Sequence, residues 1–129
     1  MKKILLIISI YFLTTLNAFA EFSFTFEWGD IKKCTDGNPN TVKNPIFTLV
    51  NVPKGTTELR FNMKDKNVPQ YYHGGGKIKN YGGETVIQPG AFKYQSPCPP
   101  SVHTYEWTIT AIGDKKKLGT AKATRKYPE

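Results

Sequence analysis

The sequence predicts an antiparallel β domain, most simply a mostly-β sandwich with little helix. Three observations carry this reading. Apolar and polar residues alternate with period two over residues 22–28, 58–65 and 103–111, the pattern of strands with one buried face. Turn-forming residues separate these runs at short, regular intervals, as in antiparallel sandwiches. No stretch supplies an amphipathic helix of three turns.

In chain order, the first residues are set apart from the domain. Lys2 and Lys3 precede an apolar run over residues 4–16, and Ala18-Phe19-Ala20 puts small residues where a signal peptidase reads. This is the pattern of a secretory signal peptide over residues 1–20, with cleavage expected after Ala20. The apolar run is short for a retained membrane anchor. A single domain over residues 21–129 is then expected in the periplasm or outside the cell, since 129 residues suffice for one domain.

The first strand places Phe22, Phe24, Phe26 and Trp28 on one face and Ser23, Thr25 and Glu27 on the other. Gly29-Asp30 ends it, and residues 35–40 are loop-forming throughout. Asn44-Pro45 begins an extended piece over residues 46–52, which Pro53-Lys54-Gly55 terminates. Leu59, Phe61 and Met63 then share a core face, and Asp65 continues their parity. Asn67-Val68-Pro69 turns the chain toward Tyr71-Tyr72-His73 and three glycines, a hairpin arm over residues 77–83 and a brief strand over residues 84–88. Pro89-Gly90 turns again, and residues 91–94 lead to Pro97-Cys98-Pro99-Pro100, a stiff lead-in to the next strand. There His103, Tyr105, Trp107, Ile109 and Ala111 share one face; Gly113-Asp114-Lys115 then turns into a last strand over residues 118–126.

The formal charge is +8, and +6 without Lys2 and Lys3. For an exported chain this points to phosphate headgroups and anionic envelope surfaces rather than nucleic acid. The late cluster of Lys115, Lys116, Lys117, Lys122, Arg125 and Lys126 reads as a solvated turn and tail. Cys34 and Cys98, an even count behind an export signal, predict a disulfide. No Cys-x-x-Cys or closely spaced histidine pair suggests zinc. The His73-Gly74-Gly75-Gly76 run lacks the Gly-x-Ser-x-Gly partner an esterase needs. Neither a metal, a cofactor nor an enzymatic activity is expected.

A candidate site follows from parity. Asp65 closes one core face and His103 opens another, so if their strands are antiparallel neighbours the two meet at one rim. His73 and His103 are candidate donors to an anion, with Asp65 orienting an imidazole. Gly74 and the two glycines after it are candidates for a concave run of backbone N–H groups. Tyr105 and Tyr72 are candidate wall residues, and Pro99 and Pro100 would fix the rim.

Several of these pieces occur together in a known pattern. Asn44-Pro45-x-Phe47, Val52-Pro53-x-Gly55-Thr56, the strand into Asp65, and Pro97-Cys98-Pro99-Pro100 followed by His103-x-Tyr105 span most of the domain. The chain resembles the phosphatidylethanolamine-binding protein family, and within it the bacterial Raf-kinase-inhibitor-like branch, in shortened form. It departs from that pattern at Asp65-Lys66-Asn67-Val68-Pro69, where the family reads Asp-Pro-Asp-x-Pro, and at Thr104, where the family has arginine. The resemblance implies a β-sandwich with a small pocket at one end for a phosphate-like or acetate-like anion or a phospholipid headgroup. It places Asp65, His73, Pro99, Pro100, His103 and Tyr105 at that pocket, while Gly74 stands where the family usually has tryptophan. It also implies an alternative role, a module that docks on or inhibits another protein such as a kinase or protease, and it allows peripheral membrane contact.

Overall fold

The computed structural model describes residues 20–129; the expected signal peptide, apart from its last residue, lies outside the described residues. Among the described residues there are nine strands and no helix: β1 (Ser23–Glu27), β2 (Thr41–Lys43), β3 (Ile46–Val50), β4 (Glu58–Asp65), β5 (Tyr72–Ile78), β6 (Val86–Ile87), β7 (Lys93–Gln95), β8 (His103–Gly113) and β9 (Lys116–Tyr127). All pair antiparallel, in a three-stranded sheet β1-β3-β6, a two-stranded sheet β2-β7 and a four-stranded sheet β5-β4-β8-β9.

The alternation seen in the sequence is what closes the two larger sheets on each other. Phe24 and Phe26 of β1 lie opposite Leu49 and Phe47 of β3. Leu59, Phe61 and Met63 of β4 lie opposite Ala111, Ile109 and Trp107 of β8. The two apolar faces meet at Phe47, whose ring centroid sits 5.0 Å from that of Phe61 and 5.3 Å from that of Trp107. Phe47 and Trp107 are fully buried, and burying one such side chain is worth about 1.5–3 kcal/mol. At the corner, the Trp28 indole N–H donates to the Lys126 carbonyl at 2.9 Å, and Arg125 Nη1 donates to the Phe26 carbonyl at 2.7 Å, tying β9 to the end of β1.

Two features depart from the sequence reading. Residues 91–94, read as a connection, contribute to β7, which pairs with β2; three-residue strands are too short to show a period. Buried Asn44 holds the intervening turn, its Oδ1 accepting N–H bonds from Gly90, Ala91 and Phe92 while its Nδ2 donates to the Pro45 and Gln88 carbonyls. Second, the glycines are in strand β5 rather than before a hairpin arm. Gly76 lies opposite Phe61 and Gly75 opposite Asn62, where a Cβ would collide with the Phe92 ring and the Phe61 carbonyl respectively. Pairing resumes at Tyr72 opposite Lys64. His73 and Gly74 together therefore face Met63 alone, a β-bulge.

Candidate functional site

The bulge decides where His73 points. Counting back from Gly76, which shares the core face of Phe61, strict alternation would send Tyr72 inward and His73 to solvent. The extra residue reverses this. His73 is 3% exposed and Tyr72 is 80% exposed. Gly74 has φ 80°, a backbone shape that glycine adopts without steric cost.

Strands β4 and β8 supply the rest. Asp65 lies opposite Tyr105 in the ladder, and His103 stands two residues before Tyr105. Asp65, 4% exposed, accepts the His103 Nδ1–H on Oδ2 at 2.7 Å. Its Oδ1 accepts the backbone N–H groups of Asn67 at 2.8 Å and Val68 at 3.2 Å, which bends the chain out of β4. That turn is tied to β8 from both sides: the Thr104 N–H donates to Asn67 Oδ1 at 2.9 Å, and the Lys66 N–H to the Thr104 carbonyl at 2.8 Å. An amide at position 67 accepts this bond without adding a second negative charge beside Asp65.

Burial opposes ionisation of Asp65. The His103 bond and the two backbone N–H bonds outweigh it, so the carboxyl titrates below its ordinary value. Burial pushes the Tyr105 hydroxyl well above the ordinary tyrosine range, and the neighbouring Asp65 charge adds to this. Its O–H therefore stays protonated beside Asp65. Burial also lowers the His73 pKa, against the opposing effects of the Gln95 carbonyl and Asp65. His73 Nδ1–H donates to Gln95 O at 2.9 Å, so the neutral ring keeps Nε2 as an acceptor. The Tyr71 ring packs on His73 with centroids 4.5 Å apart, and Tyr105 meets His73 edge-on at 5.5 Å.

These side chains surround a hollow of ≈ 160 Å³. That is close to the roughly 150 Å³ cavity able to hold a benzene ring and well below the ~300–1,000 Å³ of sites for drug-sized ligands. Asp65, His73, His103, Tyr105, Pro99 and Pro100, all expected at the site from sequence, line it together. Gly74 is not in the lining; its role is the bulge that aims His73, in place of the expected run of N–H donors. Tyr72, expected as a wall residue, faces solvent, and Tyr71 takes that place.

Sequence reasoning missed Tyr71, Val68, Gly37, Pro39 and Cys98 as lining residues. Tyr71 shares parity with His73, and that signal was present. Gly37 and Pro39 come from the loop between β1 and β2, which carries no period. The disulfide brings that loop here: Cys34 and Cys98 are joined, with Cα atoms 5.4 Å apart. Among the described residues, no three His, Cys, Asp or Glu side chains group as a metal site would require.

No family model matches the chain, and no curated protein matches it in sequence. Among solved structures it is similar to the crystal structure of a phosphatidylethanolamine-binding protein homologue from Chlamydia trachomatis. The TM-score is 0.51 at 14% identity, covering 84% of this chain and 98% of that one. At that identity the likeness is one of fold: the chain has a phosphatidylethanolamine-binding-protein-like, mostly-β fold.

Proposed function

We propose that this is a non-enzymatic binding protein of the periplasm or extracellular space, and that it takes a small anionic group in the hollow beside Asp65 and His103. The group is a phosphate-like or acetate-like anion, free or as a phospholipid headgroup. The observation that carries the reading is the state of His103: its Nδ1 is engaged by Asp65 at 2.7 Å, which leaves Nε2 as the ring nitrogen available in the hollow. In the imidazolium form Nε2–H is a charged donor.

The Asp65 carboxylate does not oppose an anion strongly, because three N–H groups already occupy its two oxygens. His73 Nε2 accepts from a protonated phosphate oxygen or an ammonium group on the same ligand. Cys98, in the lining, is joined to Cys34 in a disulfide. Ser96 lies near in sequence, but it is buried and its Oγ accepts the Asn40 N–H at 3.0 Å. The disulfide is compatible with export.

The test is a thermal-shift titration of wild type and His103→Ala with O-phosphoethanolamine, inorganic phosphate and acetate. Wild type is expected to melt higher with ligand. Loss of one charge-assisted hydrogen bond, about 1.5–3 kcal/mol, is expected to weaken binding at least about tenfold in the variant. A variant that keeps the full ligand-dependent shift contradicts the site.

A further inference from the structure

A second hollow, of ≈ 350 Å³, shares no lining residue with the first. Its floor is the β2-β7 pair, where Lys43 lies directly opposite Lys93. Thr41 and Gln95, two residues away on the same face, are joined by a Gln95 Nε2 to Thr41 Oγ1 hydrogen bond of 3.0 Å. Tyr94, between Lys93 and Gln95, is buried on the opposite face. Lys43 and Lys93 therefore emerge together on the outer face with Cβ atoms about 4.5–5.5 Å apart, where like charges repel.

Lys32, from the loop after β1, is a third lining cation, and Asp30 is the one lining carboxylate among the described residues. Among the described residues, none of these four charges makes an ion pair within 4.0 Å. Trp28 adds an apolar wall, its indole N–H being engaged by Lys126.

We propose that this hollow is a second binding site, for a small polyvalent oxyanion such as a pyrophosphate or a phosphate monoester, held between Lys32, Lys43 and Lys93. A repelling pair opposed on a two-stranded sheet of three residues per strand is relieved when one anion bridges both ammonium groups. Three lysines against one aspartate leave a lining charge of +2, which suits a dianion or higher better than a monocarboxylate. The volume holds a group larger than the first hollow accepts. This site is independent of the function proposed for the first hollow.

The experiment titrates pyrophosphate, glucose 6-phosphate and acetate into wild type, Lys43→Thr, Lys93→Thr and His103→Ala in low-salt, phosphate-free buffer, reading the melting temperature. Threonine keeps the strand propensity. Without ligand, the two threonine variants are expected to melt at or above the wild-type temperature, because the repelling pair is gone. With pyrophosphate, wild type and His103→Ala are expected to shift upward, while either threonine variant binds at least about tenfold more weakly, the worth of one charged hydrogen bond. In His103→Ala, acetate is expected to give no shift. In His103→Ala, where the first hollow no longer contributes, a response to glucose 6-phosphate as well as pyrophosphate shows that one phosphate monoester suffices, and a response to pyrophosphate alone that both phosphoryl groups are required; either supports the site. Overturning results are a full pyrophosphate response in the threonine variants, its loss in His103→Ala, no response in wild type, or lowered ligand-free melting in both threonine variants.

Discussion

Replacing Cys34 and Cys98 together by serine is expected to lower stability by about 4 kcal/mol and to abolish ligand binding in the first hollow. The cross-link closes a segment of 64 residues, for which the chain-entropy account gives about 4 kcal/mol. A domain of this size has about 5–15 kcal/mol in total, so the change is a large fraction of it. The functional loss has a separate cause. Among the described residues, the segment between β1 and β2 has no strand partner. It is anchored at its start by Trp28, and at its end by two bonds between Asn40 and Ser96, at 3.0 Å and 2.8 Å. Between these points the disulfide is the covalent tie, and Gly37 and Pro39 form one wall of the hollow. Urea denaturation reads the first effect and thermal shift with O-phosphoethanolamine the second. A loss under about 1 kcal/mol together with an unchanged ligand shift contradicts both parts.

Gly74→Val is expected to destabilise the protein by about 2–3 kcal/mol and to remove His73 from the hollow. Space is not the obstacle, since a Cβ at Gly74 would meet only the edge of the Tyr72 ring, at 3.8 Å. The obstacle is φ 80°, where a β-branched residue is strained by about 1–3 kcal/mol. Relieving the strain means dissolving the bulge. Regular pairing with β4 would then turn His73 outward and Tyr72 inward, giving up the His73–Gln95 bond and the Tyr71 and Tyr105 contacts. Gly74→Asn is the graded control, because asparagine tolerates the left-handed region, and it is expected to cost about 1 kcal/mol. Equal stability of Gly74→Val and wild type in denaturant titration contradicts the role given to the bulge.

The two positions show where sequence is informative and where it stops. Parity alone put Asp65 at the end of a core face and His103 at the start of another, because period two survives wherever strands pair regularly. The β4-β8 register, unbroken from Glu58 opposite Ile112 to Asp65 opposite Tyr105, preserved it. In β5 a single extra residue inverts the count, so parity with Gly76 would turn Tyr72 inward, whereas parity with His73 turns Tyr71 inward. Nothing in Tyr71-Tyr72-His73-Gly74 marks which residue is unpaired; the partner strand determines that. The wall from Gly37 and Pro39 was legible only indirectly: a loop has no periodicity, and the signal for its position was the expected cross-link from Cys34 to Cys98, beside Pro99 and Pro100. The two-stranded sheet escaped because Thr41–Lys43 and Lys93–Gln95 are shorter than any period can reveal.

The central claim is that one imidazole, fixed on its inner nitrogen by a carboxylate, presents its outer nitrogen to a small anion. Nitrogen-15 NMR of the histidine rings during titration with O-phosphoethanolamine addresses it directly, because the chain has two histidines. The account predicts that His103 Nδ1 stays protonated throughout and that His103 Nε2 moves as ligand binds. A ligand that binds while His103 Nε2 keeps its free-state resonance, or a free protein in which His103 Nδ1 carries no proton, would contradict it.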